Sequence, residues 1–334
     1  MFTLHERPPM DTFTHIPVLA DACIQGLNLR PGGVYVDATL GGAGHAARIA
    51  ERLTTGRLIG IDRDEYALGR AGERLKPWKD RVTLVHSDFR RIADCLRQAG
   101  EEGADGILFD LGCSSFQLDD PQRGFSYMHD APLDMRMDRS EGLTAYELVN
   151  ESDEAELRRI LYEYGEERWA PRIAAAIVRA RETSPIRTTG ELAALIADAM
   201  PAAARREKQH PAKRSFQAIR IAVNDELGSI AEALDAAVDA LNPGGRLAVI
   251  SFHSLEDRLV KTRMADAAKG CICPPEFPVC VCGRKPRLRI LTRRPIEPDE
   301  AERERNPRAR SAKLRVAEKV QEGDGVPTSS PQER

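Results

Sequence analysis

The stretch that most constrains this chain is Val34–Ala47, Val-Tyr-Val-Asp-Ala-Thr-Leu-Gly-Gly-Ala-Gly-His-Ala-Ala. Val34, Tyr35 and Val36 are β-branched or aromatic and follow a Pro31-Gly32-Gly33 turn, which predicts a strand. Ala46–Leu53 is built from strong helix formers. Gly41, Gly42 and Gly44 lie between. A strand that feeds a helix through glycines leaves backbone N–H groups facing an open crevice. Gly42-Ala43-Gly44-His45-Ala46-Ala47 fits the G-x-G-x-x-G/A form, and Asp62 closes the expected second strand Arg57–Asp62 about 20 residues on, where a carboxylate can accept from a ribose diol. Together these point to a bound adenosine group; the glycines alone fit any tight turn.

The chain has 334 residues, room for two domains or one with a large insertion. A net charge of −3 excludes attraction of the whole molecule to nucleic acid, so any RNA contact needs local basic patches. No apolar run approaches the ~20 residues of a membrane span. Met1–Thr14 is polar, lacks the apolar core of a signal peptide, and is expected to be a loose arm. A cytoplasmic protein is expected. The odd count of 7 cysteines argues against a disulfide framework.

Helices are expected at Ala20–Leu27, Glu65–Leu75 and Ile92–Ala99, and further strands at Val82–His86 and Gly106–Leu111. Alternating strands and helices predict an α/β fold with a doubly wound, Rossmann-like parallel sheet. Gly112–Arg139 then reads as loop. Ala145 to about Met200 has helical periodicity, with Thr188-x-x-Glu191 as a capping box, and predicts an inserted helical domain. A single long helix, Ser215–Leu241, is expected to stop at Asn242-Pro243-Gly244-Gly245. Strands Arg246–Phe252, Leu288–Thr292 and Ala312–Glu318 follow, with a helix at Ser254–Ala268. The expected divisions are 15–125 and 213–320 for the sheet domain, 126–212 for the insertion, and 321–334 for a disordered polar tail.

Ligands of open parallel sheets sit outside the carboxyl edge. Four expected strand ends there bear Asp37, Asp62, Asp88-Phe89 and Asp110. Asp62 would hold a ribose, Phe89 would cover an adenine face, Asp88 would accept from its amine, and Asp110 would lie under the reactive end. Asp37 and Asp110 favour a cationic ligand end and repel a pyrophosphate, which selects S-adenosylmethionine over a dinucleotide. Any one of these acids alone would be read as a solvated strand end or a helix cap.

Asp110-Leu-Gly-Cys-Ser-Ser-Phe-Gln-Leu-Asp-Asp, Arg123-Gly-Phe-Ser, Pro132-Leu-Asp-Met-Arg-Met-Asp138, Tyr164-Gly-Glu-Glu, Phe216-Gln-Ala-Ile-Arg-Ile, Ser251-Phe-His-Ser-Leu-Glu-Asp-Arg258 and Asn306-Pro-Arg-Ala-Arg-Ser-Ala312 together resemble the bacterial RsmH/MraW family. The resemblance runs from about His15 to Arg315. It implies an S-adenosylmethionine-dependent methyltransferase acting on N4 of a cytosine in the decoding region of 16S rRNA, with 16S rRNA or the small ribosomal subunit as partner. It places cofactor contacts on Ala43, Gly44, His45, Asp62, Phe89, Asp110 and Gln117, beside Gly42 of the glycine turn. Gln117 rests on the resemblance alone. Many members place the paired glycines one step later; Ala43 is expected to leave the backbone open all the same.

The exocyclic amine of cytosine is a poor nucleophile, so a site must align it and accept its hydrogens. Asp110 and nearby carbonyls are the candidate acceptors, and Phe116, Phe125 or Tyr127 the candidate stacking faces. Cys113 is set aside as a nucleophile, since amine methylation needs no covalent adduct. His253 either reaches the site edge or caps a helix. Cys271, Cys273, Cys280 and Cys282 have the composition of a tetrahedral zinc site, but C-x-C is not the usual C-x2-C spacing and methyl transfer needs no metal, so no metal is expected. Basic stretches at Arg205-Arg206 with Lys208, Lys213 and Arg214, at Arg284–Arg294, and at Arg308–Arg315 are candidate phosphate contacts. The alternatives are an NAD-dependent dehydrogenase on the same turn and a non-catalytic RNA-binding assembly factor.

Overall fold

The computed structural model describes residues 17–321, apart from 208, 275 and 278. The expected N-terminal arm and nearly all of the expected tail lie outside the described residues. The first half alternates as α1 (Ala20–Leu27), β1 (Val34–Asp37), α2 (Gly44–Ala50), β2 (Arg57–Asp62), α3 (Glu65–Leu75), β3 (Val82–His86), α4 (Ile92–Gln98) and β4 (Ala104–Asp110). Between β4 and the next strand come α5 (Ser115–Asp119), α6 (Ala145–Glu151), α7 (Glu154–Glu163), α8 (Ala170–Thr183), α9 (Thr189–Ala199), α10 (Lys213–Val223) and α11 (Glu226–Ala240). The chain then adds β5 (Leu241–Ser251), α12 (Ser254–Ala268), β6 (Leu288–Ile290), α13 (Glu300–Arg305) and β7 (Lys313–Lys319).

The strands form one seven-stranded sheet in the order β3-β2-β1-β4-β5-β7-β6. Strands β1 to β5 are parallel, and β7 runs antiparallel to both its neighbours. Successive side chains point to opposite faces. Val36, Ile59, Ile61, Ile107, Phe109, Leu247 and Val249 pack on one face, against α4, α11 and α12. Tyr35, Leu58, Leu108, Ala248 and Ile250 pack on the other, against α1, α2 and α3. Burial on both faces explains why these strands read as continuous apolar runs. The order reverses between β1 and β4, which opens a crevice at their carboxyl ends.

A separate apolar cluster runs from Phe125 to Ile219 and joins α6 to α10. Its helices are capped as their sequence directs. Thr144 with Glu147 opens α6, and Thr188 with Glu191 opens α9, each as a capping box. The expected single helix Ser215–Leu241 is instead α10 and α11. Asp225 takes a left-handed conformation, φ 44°, between them. Asn224 spends its side chain on the 135–137 loop: its Oδ1 accepts from Met137 N at 2.7 Å and its Nδ2 donates to Met135 O at 2.7 Å. No Gly or Pro marks this break; the Asn-Asp pair is its only signature. Strand β5 also starts earlier than expected, at Leu241, through an irregular register opposite Ala104–Gly106.

The loop into β2 is closed by Pro31 O, which accepts from Thr54, Thr55 and Gly56 N. A Cβ on Gly56 would stand 2.3 Å from Gly33 O, a backbone atom with no side-chain freedom to yield. Gly56→Ala should therefore cost about 2 kcal/mol or more, by the scale of overpacked sites. A urea midpoint unchanged from that of the parent would contradict it.

Among the described residues no helix is long and apolar enough to cross a membrane.

Candidate active site

A cavity of about 770 Å³ opens at the carboxyl ends of β1, β2 and β4. Gly41, Gly42, Gly44, His45, Asp62, Phe89, Asp110 and Gln117 all line it. Most of the residues singled out from the sequence therefore share one space. Asp62 and Asp110 open into the same cavity, from strands on either side of β1.

The glycine turn bends through left-handed Gly41 (φ 48°) and left-handed Ala43 (φ 56°). Asp62 Oδ2 accepts from Gly41 N at 2.7 Å and its Oδ1 from Asp64 N at 2.8 Å. Burial raises the Asp62 pKa, against these two N–H groups. Each carboxylate oxygen keeps a further lone pair for a hydroxyl. Ala43 does not leave its backbone open: it is fully buried and its N–H donates to Leu40 O at 2.7 Å. The open backbone belongs to its glycine neighbours.

Asp110 lies at the floor. Its Oδ1 is buried without a hydrogen-bond partner, and its Oδ2 is 3.5 Å from His45 Nδ1. His45 Nε2 has only Val18 O opposite it, at 2.8 Å, so Nε2 must carry the hydrogen. Burial lowers the His45 pKa, which leaves Nδ1 unprotonated and facing Asp110. Burial, and then the charge of Glu256, push Asp110 up to about 7. Its side chain keeps 20% exposure, and the residue lines the cavity.

Two strand-end acids do not take the expected places. Asp37 is 2% exposed, sits behind the turn with Oδ1 toward Thr39 N, and burial pushes it up to about 6. Asp88 caps the turn after β3 through Arg90 N and pairs with the Arg90 guanidinium. Neither lines the cavity, since a carboxylate beside unsatisfied N–H groups is consumed by capping. Of the expected stacking faces, Phe125 is buried in the helical cluster and Tyr127 is stacked on His210, with centroids 4.4 Å apart. Phe116 packs edge-on to Tyr66 under Arg70, outside the cavity lining. Phe252 occupies the wall instead.

Of the far wall only His253 was foreseen. Arg220, Glu226, His253 and Glu256 line it, from α10, α11 and the start of α12. Arg220 holds Glu226 through two hydrogen bonds of 2.8 and 2.9 Å. Glu256 is fully buried; burial opposes its charge, but His253 and Arg220 hold its pKa below the usual value. His253 does both things expected of it. Its Nδ1 accepts from Glu256 N as the cap of α12, and it faces the cavity. Its Nε2 lies 3.1 Å from Glu256 Oε1, yet poor alignment leaves both atoms without a hydrogen bond. The quoted Phe216–Ile221 and Ser251–Arg258 stretches contain Arg220, His253 and Glu256 but not Glu226, and only folding brings the four together. Arg305 and Arg308 stand at the rim.

Gln117 lines the cavity from α5, although both its amide atoms are engaged. Nε2 donates to Asp64 Oδ2 at 3.0 Å and Oε1 accepts from Ser114 N at 3.0 Å. Asp64 also takes Arg123 Nη1 at 2.8 Å. Cys113 is pushed by burial up to about 12, too high to serve as a nucleophile. Many of the expected phosphate contacts have partners within the chain: Arg205 with Asp198, Arg287 with Asp239, Arg289 with Glu318, and Lys313 and Arg315 with Asp257.

The model of the MraW methylase family matches residues 12–320. The chain belongs to the MraW methylase family. This MraW-family chain is 59% identical over 310 residues to "Ribosomal RNA small subunit methyltransferase H" of Brevibacillus brevis, covering 92% of this chain and 99% of that relative. It is 58% identical over 313 residues to the protein of the same name from Symbiobacterium thermophilum, covering 93% and 98%. The Geobacter sp. (strain M21) protein of that name is 56% identical over 312 residues, covering 93% and 100%. The MraW-family chain is thus a methyltransferase, and the cavity at its sheet edge is the candidate active site.

Proposed function

We propose that the chain transfers a methyl group from S-adenosylmethionine to N4 of a cytosine in 16S rRNA of the small ribosomal subunit, in the cytoplasm. One observation carries this reading: Asp110 Oδ1 is a buried carboxylate oxygen without a hydrogen-bond partner, on a residue that lines the cavity. Buried acceptors of this kind need hydrogens or positive charge opposite them. When bound, S-adenosylmethionine supplies a methyl group on a positively charged sulfur and carries no phosphate. The donor set fits it. Asp62 would hold the ribose and Phe89 the adenine face, with Gly42, Gly44 and the His45 backbone closing the turn. Asp110 would face the sulfonium end. Gln117 would shape the wall while tied to Asp64. A dinucleotide fits poorly, because its pyrophosphate would meet the carboxylates of Asp110 and Glu256.

The base comes from the opposite side. The cytosine amine delocalises its lone pair into the ring, and acceptors that take its hydrogens return that pair to nitrogen. Glu256, its pKa held down, would be the acceptor, with the carbonyls of Leu111 and Gly112, which line the same cavity just after β4, as further candidates. Phe252 supplies an aromatic face for the base. Arg305 at the rim suits phosphate, with Arg308 beside it already paired to Asp119, and the helices from α6 to α10 would clamp the RNA beside β4.

The test is incubation with radiolabelled methyl donor and small ribosomal subunits, or naked 16S rRNA, followed by mapping of the modified nucleotide. Label on one cytosine N4 is expected. Absence of label on both substrates would leave an RNA-binding factor without turnover.

A further inference from the structure

Residues 271–285 form the connection from α12 to β6, and every described residue among them is exposed except half-buried Cys273. Ile272, Phe277, Val279 and Val281 are half or more exposed, so the segment has no apolar core. Its ends are fastened: Arg284 donates to Asp266 O, and Arg287 N to Ala267 O at 2.7 Å. A connection of this length without a core needs another reason to hold one shape.

The four cysteines converge at its centre. Their sulfurs all lie within 4.8 Å of one another. Cys280 Sγ is 3.5 Å from Cys282 Sγ, which is 3.8 Å from Cys271 Sγ. Sulfurs about 2.3 Å from a tetrahedral zinc are about 3.8 Å apart, so these spacings are those of an S₄ shell rather than of disulfides, whose sulfurs are about 2 Å apart. The C-x-C spacing is no obstacle, because an extended chain puts residues i and i+2 on the same side. Backbone amides already turn toward the thiols: Cys273 N donates to Cys271 Sγ and Val281 N to Cys273 Sγ, both at 3.4 Å. Gly283, at φ 61°, turns the chain directly after the last cysteine. Arg284 and Lys285, close after Cys282 in the chain, would offset the double negative charge of zinc held by four thiolates.

We infer that Cys271, Cys273, Cys280 and Cys282 bind one structural Zn²⁺ through four thiolates, closing this loop into a knuckle remote from the cavity. This reverses the expectation of no metal drawn from the sequence. Four protein ligands complete a tetrahedral shell, so the ion has no open position and takes no part in methyl transfer.

Metal analysis of the full chain, purified in reducing, chelator-treated buffer, should find one zinc per chain. The double variant Cys280→Ser, Cys282→Ser should hold about tenfold less while binding the methyl donor as before. Cobalt reconstitution of the unaltered chain should give the intense visible bands and thiolate charge transfer of tetrahedral CoS₄, which decides the matter even if the variant misfolds. Four freely titrating thiols without metal would overturn the assignment, as would two disulfides or full zinc retention by the variant.

Discussion

Asp110→Asn should lower kcat/KM for methyl transfer by roughly 10²–10³-fold, the scale on which single charge-stabilising groups contribute in enclosed sites. The fold should survive, because Asp110 Oδ1 holds no internal partner and its backbone N–H is satisfied separately by Thr39 Oγ1 at 2.6 Å. Stability should carry its own signature. The folded pKa of about 7 lies above the ordinary 3.8. Between those values the folded chain keeps a proton that the unfolded chain has lost, so stability present at low pH is lost as pH rises toward 7. The size is at most about 4 kcal/mol, the free-energy equivalent of moving the carboxyl from 3.8 to about 7. Asp110→Asn should lack that slope and should be no less stable than the parent at pH 8. A variant with normal turnover would remove Asp110 from the site.

Arg123→Ala should be the most damaging single change to stability, about 3–5 kcal/mol, because it strands a buried carboxylate. Both side chains of the Arg123–Asp64 pair are 8% exposed and 2.8 Å apart. Arg123 Nη2 also donates to Arg136 O and Met137 O, at 3.0 and 2.9 Å. Asp64 in turn caps α3 through Tyr66 N and receives Gln117 Nε2. One guanidinium therefore ties the start of α3, the α5 wall of the cavity and the 136–137 loop together. The double change Asp64→Asn, Arg123→Met should recover part of the loss, since neither partner is left charged and alone. Urea unfolding checks both; a loss under 1 kcal/mol for Arg123→Ala would show that the pair is no anchor.

What the sequence made legible was local. The turn Gly41–Gly44 and the acids Asp62 and Asp110 each declare themselves within a strand, its end and the helix after it, and the sheet places them side by side. Asp37 and Asp88 carry the same local signal and mislead, because nothing in the residue string distinguishes a carboxylate facing ligand from one capping a nearby turn. His253 was legible as a candidate at the site edge, but Arg220, Glu226 and Glu256 of the same wall were illegible for the opposite reason. Its members lie on separate helices, and the first break between them, at Asn224-Asp225, has no Gly or Pro to announce it. The stacking faces failed likewise: Phe125 and Tyr127 are aromatic residues near β4, but the helical cluster needs them for its own packing and contacts.

The central claim is that Asp110 faces a positively charged donor, and calorimetry tests it directly. The chain is titrated at pH 6 and pH 8 with S-adenosylmethionine and with its uncharged thioether product. Below about 7 the donor must displace the Asp110 proton, so its Kd should tighten by about tenfold between the two conditions, while that of the product changes little. Equal shifts for both compounds, or no binding of the donor at either pH, would contradict the account.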